Sequence, residues 1–201
     1  MASATLDFYF DFSSPYGYLA AMQIEKLAAK HDRKVAWKPY LLGAVYQKIG
    51  GEPLVNVPMK GEYSRRDMER CAREIGVPLT FPPAFPFASV AACRAVYWQQ
   101  GDDPTAAGDL VTALYRKAFA EGGDISSAEG VLAVAEGLGI DRAALSQALQ
   151  EPAIKQRFKQ EVEAALARGV FGSPFIFVDD EPFWGSDRLE MVDRWLSRGG
   201  W

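Results

Sequence analysis

The chain has 201 residues, of which 49% are hydrophobic and 24% charged, and its formal net charge is −4. Those proportions suit a globular protein with one core or two tightly joined lobes, and the acidic balance argues against a generic nucleic-acid surface. No stretch approaches the roughly 20 unbroken apolar residues of a membrane span and the opening residues carry no basic leader, so the expected location is cytoplasmic.

Leu6, Phe8, Phe10 and Phe12 alternate with Asp7, Tyr9 and Asp11, which predicts an aromatic-rich strand. Helical spacing then begins. Tyr16, Leu19, Ala20, Ile24, Leu27 and Ala28 make "SPYGYLAAMQIEKLAAKH" one helix, with His31 at its end, where a partial positive charge is favourable. Val35 and Trp37 mark a second strand, completing a β-α-β unit. "GGEPLVNVPMKGEY" reads as a loop punctuated by Gly and Pro, and "SRRDMERCAREIG" as a helix with a glycine stop. "PLTFPPAFPF" holds too many prolines for regular structure. Helices follow over "ASVAACRAVYWQQG" and "TAAGDLVTALYRKAFAEGG". Ser126 and Glu129 have capping-box spacing, Asp141 caps the next helix, and Pro152 opens one ending near Arg168. "PFIFV" is a short apolar strand suited to a central position, "DDE" a turn and "PFWG" another strand. Ser186 is placed to cap a final helix, with Asp187 in its first turn.

This order predicts an α/β protein: a thioredoxin-like sheet with helices on both faces, built from residues 1–42 and 169–201, and an inserted all-helical domain, residues 43–168. The two cysteines, Cys71 and Cys93, are far apart and form no CxxC, so they read as free thiols. With one histidine and no Cys/His cluster, no metal site is expected and nothing recommends a Ser–His–Asp triad.

Four features could carry chemistry. Ser14 precedes Pro15 at a helix start, either as a plain cap or as a hydroxyl held where N–H groups and the helix dipole favour an anion. Ser173-Pro174 opens the apolar strand, either as an ordinary strand-start proline or, if the fold is thioredoxin-like, as a cis-proline facing that helix tip. Ser186 and Asp187 would cap a helix or hold an amino-acid head group. Lys60 is either a solvated loop lysine or a partner for a carboxylate.

The order and spacing of "FDFSSPYGYLA", "PYLLGAVYQKIGGEPLVNVPMKGEYSRRDMER" and "GVFGSPFIFVDDEPFWGSDRLE" resemble the 2-hydroxychromene-2-carboxylate isomerases and the similar kappa-class glutathione transferases, relatives of the disulfide oxidoreductase DsbA. In DsbA-like oxidoreductases the helix would open Cys-Pro-x-Cys; here Ser14 and Gly17 stand at those two positions. The resemblance implies a thiol borrowed from glutathione, with Ser14 stabilising its thiolate. It implies Lys60 for the glycyl carboxylate, the backbone of Ser173 before Pro174 for the cysteinyl unit, and Ser186 and Asp187 for the γ-glutamyl end. It implies a homodimer and a small aromatic substrate, 2-hydroxychromene-2-carboxylate, isomerised to trans-o-hydroxybenzylidenepyruvate without consuming glutathione. Phe12, Tyr16, Phe85, Phe87 and Trp184 are the candidates to line a pocket, although most aromatic residues in such a chain belong to the core. The chain departs from the family at Gly51 and Ala88, where asparagine is common; Asn56 lies close to the first. Two other readings remain: a kappa-type transferase or peroxidase, and a non-catalytic thioredoxin-fold binding module.

Overall fold

A computed structural model describes residues 5–201. Its centre is β1 (Thr5–Phe10), in which Leu6, Phe8, Tyr9 and Phe10 are all buried. β1 runs parallel to β2 (Lys34–Pro39) on one side and antiparallel to β3 (Phe175–Val178) on the other, and β4 (Glu181–Trp184) pairs antiparallel with β3. The strand order is therefore β2-β1-β3-β4. α1 (Pro15–Lys30) connects β1 to β2. Seven helices stand between β2 and β3: α2 (Leu42–Ile49), α3 (Lys60–Ile75), α4 (Val90–Gln100), α5 (Gly108–Tyr115), α6 (Ala128–Gly137), α7 (Arg142–Ala148) and α8 (Pro152–Ala167). α9 (Leu189–Arg198) closes the chain. This is the α/β thioredoxin-like arrangement with a helical insertion.

Both faces of the sheet are covered, which is why β1 lacks the wet face that strict alternation implies. On one face Leu6, Phe8 and Phe10 join a large core with Ile24 of α1, Val96 of α4 and Val111 of α5. On the other, Tyr9, Phe175 and Phe177 pack with Tyr40, Val45 and Ala165.

Several local expectations change. β1 stops at Phe10, because Asp11 leaves the ladder for side-chain partners. α2 forms where the sequence shows no clear start: Leu41 offers no side-chain cap, and the Leu42 N–H is instead bonded by Asp11 Oδ2 at 2.8 Å, a cap from elsewhere in the chain. Lys60 is not in a loop; it is the first residue of α3, launched by Met59 at φ 65. α5 runs on into a π-turn over Arg116–Ala120. Ser127 rather than Ser126 caps α6, accepting from Gly130 N at 3.1 Å, while Ser126 Oγ donates to Asp124. Ser186 caps nothing: it starts a 3-10 turn, Ser186–Arg188, and α9 begins only at Leu189. No helix among the described residues is long and apolar enough to cross a membrane.

α9 is pinned to the C-terminal end of α1. Asp193 accepts from Lys30 Nζ at 2.7 Å, and its other oxygen lies 2.6 Å from His31 Nε2. These neighbours hold the Asp193 carboxyl below the usual carboxylate range, Lys30 first and His31 second. A depressed folded value stabilises the fold above the unfolded one, and that gain is lost as pH falls through the carboxylate range. Because the pair is largely exposed, Asp193→Ala should cost only about 0.5–1 kcal/mol at pH 7. Denaturant unfolding should show the difference from the unsubstituted chain shrinking on acidification; a constant difference would mean the carboxylate charge is not what matters.

Candidate active site

The site begins where β1 hands over to α1. Ser14 has an extended backbone and caps α1: its Oγ accepts from Gly17 N at 3.1 Å, and Pro15 occupies the first turn. The same hydroxyl donates to the Ser173 carbonyl at 2.8 Å. The Ser173–Pro174 peptide is cis. Ser173 Oγ in turn accepts from Asp11 N at 2.9 Å. Ser14, Ser173 and Pro174, 159 residues apart in the chain, thus meet at one helix tip. The N–H of Ser173 makes no hydrogen bond among the described residues.

Behind the tip sits Asp11, which is buried. Its Oδ1 accepts from Ser13 N at 2.9 Å and Ser89 Oγ at 2.8 Å, while Oδ2 takes Leu42 N. Its carbonyl accepts both Ser14 N and the Tyr115 hydroxyl at 2.9 Å. Burial pushes the Asp11 carboxyl up, and the bonds from Ser13, Leu42 and Ser89 oppose that shift. One residue therefore ties together β1, α1, α2, the start of α4 and the cis-proline loop.

Gly17 shows how tightly the tip is filled. A Cβ there would lie 2.4 Å from the Tyr115 hydroxyl and 2.9 Å from Ser173 Oγ. The place where a Cys-Pro-x-Cys helix would carry its second cysteine is thus held against any side chain. Neither native thiol substitutes for one. Cys93 is buried, and desolvation, then Asp11, pushes its thiol well up; Cys71 is pushed up by desolvation, then Asp67. Both are poor thiolates near neutral pH.

The other expected site residues are tied to this tip less directly. Gly185 N donates to the Pro174 carbonyl at 3.1 Å, which sets the Ser186–Arg188 turn beside the cis-proline. Asp187 is exposed and its Oδ2 takes Arg188 Nη1 at 2.7 Å. Lys60 is exposed and makes no ion pair among the described residues. It does not touch Ser14; the link is indirect, through α3, where Asp67 accepts the Tyr16 hydroxyl at 2.8 Å. Gly51 has φ 112, a backbone region that excludes a strain-free asparagine, and Asn56 is exposed.

The aromatic candidates divide between core and surface. Phe12 is fully buried, packed on Phe10 and Tyr115, and belongs to the core. Trp184 sits exposed on β4, packed against Phe171. Phe85 and Phe87 are half-buried and both meet Phe119. Asp11 and Tyr115 were not legible as site residues. Alternation assigns Asp11 to solvent, and nothing in "TALYRKAFA" separates Tyr115 from an ordinary helix residue.

A thioredoxin-type sheet, a cis-proline facing a helix tip and a serine at that tip define a DsbA-like protein without an exchange thiol there. The model of the DSBA-like thioredoxin domain matches residues 5–197. The chain is 36% identical over 194 residues to a 2-hydroxychromene-2-carboxylate isomerase of Sphingobium xenophagum, covering 96% of this chain and 97% of that protein. A solved 2-hydroxychromene-2-carboxylate isomerase superposes with a TM-score of 0.86 at 33% identity, covering 96% of this chain and 95% of the other. Human glutathione S-transferase kappa 1 is more distant, at 24% identity over 209 residues, 96% of this chain and 92% of that one. The chain belongs to the DsbA-like thioredoxin family and, within it, to the 2-hydroxychromene-2-carboxylate isomerases.

Proposed function

We propose that this protein isomerises 2-hydroxychromene-2-carboxylate to trans-o-hydroxybenzylidenepyruvate, with glutathione as cofactor. The observation that carries the cofactor is the helix tip itself. It has the cap, the dipole and the cis-proline of a thiol site, yet Ser14 and Gly17 supply no sulfur and the two native thiols are held protonated. The kappa-class transferase relatives carry glutathione in their name, which supports the same assignment.

The residues present fit that molecule. Ser14 would turn its hydroxyl proton from the Ser173 carbonyl toward the sulfur, and the first N–H groups of α1 add to the same field. The open N–H of Ser173 would pair with the cysteinyl unit. The unpaired Lys60 ammonium suits the glycyl carboxylate. Asp187 suits the γ-glutamyl ammonium, which would compete there with Arg188. When bound, glutathione supplies a nucleophile that adds reversibly to the conjugated double bond and leaves again, so none is consumed. We assign the protein to a reducing, cytoplasmic setting because both cysteines are free. We assign it a homodimeric state on the exposed apolar residues Ile49, Leu54, Met59 and Tyr63, which lie close together in the chain.

The test is turnover with and without glutathione while total glutathione is followed. Isomerisation that requires glutathione and leaves its amount constant supports the assignment. Stoichiometric consumption would instead make the protein a transferase of the kappa type. Turnover without glutathione would remove the cofactor from the reaction.

A further inference from the structure

We infer that Arg65 is the group that reads the carboxylate of the aromatic substrate. This rests on the isomerase reading above and adds to it the residue that selects an anionic aromatic compound. Arg65 lies on α3, five residues beyond Lys60. Its guanidinium carbon stands 5.0 Å from the centroid of Phe81 and 5.8 Å from that of Phe85. It makes no hydrogen bond and no ion pair among the described residues. The nearest acid in sequence, Asp67, is already engaged by Arg70 at 2.6 Å and by the Tyr16 hydroxyl.

Ring contacts of this kind take up none of the guanidinium's hydrogen-bond donors, and its planar fork is matched to a carboxylate. The rings behind Phe81 and Phe85 lead into the core, where Phe119 and Tyr115 are fully buried. Phe81 and Phe85 meet at 5.2 Å, and Phe85 and Phe87 each contact Phe119. Phe119 contacts Tyr115, whose hydroxyl bonds the Asp11 carbonyl behind Ser14. An unpaired cation over half-buried rings, on the helix whose Asp67 takes the hydroxyl of Tyr16 two residues beyond Ser14, suits a planar ring bearing one carboxylate. Lys60 does not serve both roles. On α3 it lies about 140° around the axis from Arg65, since five residues advance about 500° at 3.6 per turn.

The carboxylate is present in substrate, product and the state between them, so the contact acts on binding more than on chemistry. Arg65→Gln should raise KM for 2-hydroxychromene-2-carboxylate by about 10-fold or more, with kcat changed by less than about 3-fold. Arg65→Lys should recover part of the loss, because it keeps the charge but not the fork. Glutathione affinity, measured by calorimetry on the same variants, should stay unchanged. Arg65 is exposed, so its folding is not at stake, and a thermal melt checks this. Unchanged KM in an active Arg65→Gln protein overturns the inference and leaves the isomerase reading standing. An unsubstituted protein that fails to isomerise overturns the isomerase reading instead. In that case calorimetry with trans-o-hydroxybenzylidenepyruvate decides Arg65: binding weakened about 10-fold by Arg65→Gln supports it, and no binding, or equal binding, overturns it.

Discussion

Ser14→Ala is expected to lower glutathione-dependent kcat/KM at pH 7 by about 10- to 100-fold, since a hydrogen bond to a charged group contributes roughly 1.5–3 kcal/mol. The hydroxyl sits where α1 begins, bonded to Gly17 N and the Ser173 carbonyl, and is the side-chain donor at the tip. A bound thiol there would ionise more readily with the donor than without it. Removing it raises the thiol pKa, so the thiolate fraction at pH 7 falls, and activity should recover as pH rises past the new value. The change also removes the cap of α1, at a cost of about 1 kcal/mol of stability. Two readings separate these effects: the pH dependence of kcat/KM, and thiolate absorbance of bound glutathione against pH. A stability loss with an unshifted thiolate titration would reduce Ser14 to a helix cap.

Gly17→Ala should destabilise the fold by about 1–3 kcal/mol, although alanine ordinarily stabilises a helix relative to glycine by up to about 1 kcal/mol. The reversal comes from a clash rather than from backbone conformation. The added Cβ would stand 2.4 Å from the Tyr115 hydroxyl, which is itself bonded to Asp11 and cannot swing away cheaply. Tyr115→Phe removes that oxygen, so the Gly17→Ala/Tyr115→Phe protein should regain more than the single changes add up to, a positive coupling in a double-mutant cycle. The same clash means that Ser14→Cys with Gly17→Cys would not install a working Cys-Pro-x-Cys helix in this chain. A Gly17→Ala protein as stable as its parent in denaturant would show that Tyr115 yields, and the tip would then be open to a second side chain.

Much of this was visible in the amino-acid order. The alternation of Leu6, Phe8 and Phe10, the helical spacing from Tyr16 to Ala28, and the apolar "PFIFV" depend on local periodicity, and local periodicity survives whatever the rest of the chain does. Ser14 before Pro15 and Ser173 before Pro174 are likewise marked by their immediate neighbours. The ends of elements were less legible, because long-range bonds decide them. Asp11 terminates β1 and starts α2, and Asp124 takes the hydroxyls of both Ser126 and Ser127, of which Ser127 caps α6.

The sequence by itself determined the strands, the helices other than α2, their order, and the missing thiol at positions 14 and 17. Only the tertiary structure decided that Asp11 is a buried junction rather than a solvent-facing strand residue, that Tyr115 guards Gly17, and that Arg65 rests unpaired on two phenylalanines. The reason is physical. Periodicity records which side of an element faces the core, whereas a polar residue's partner is a matter of which distant segment arrives beside it.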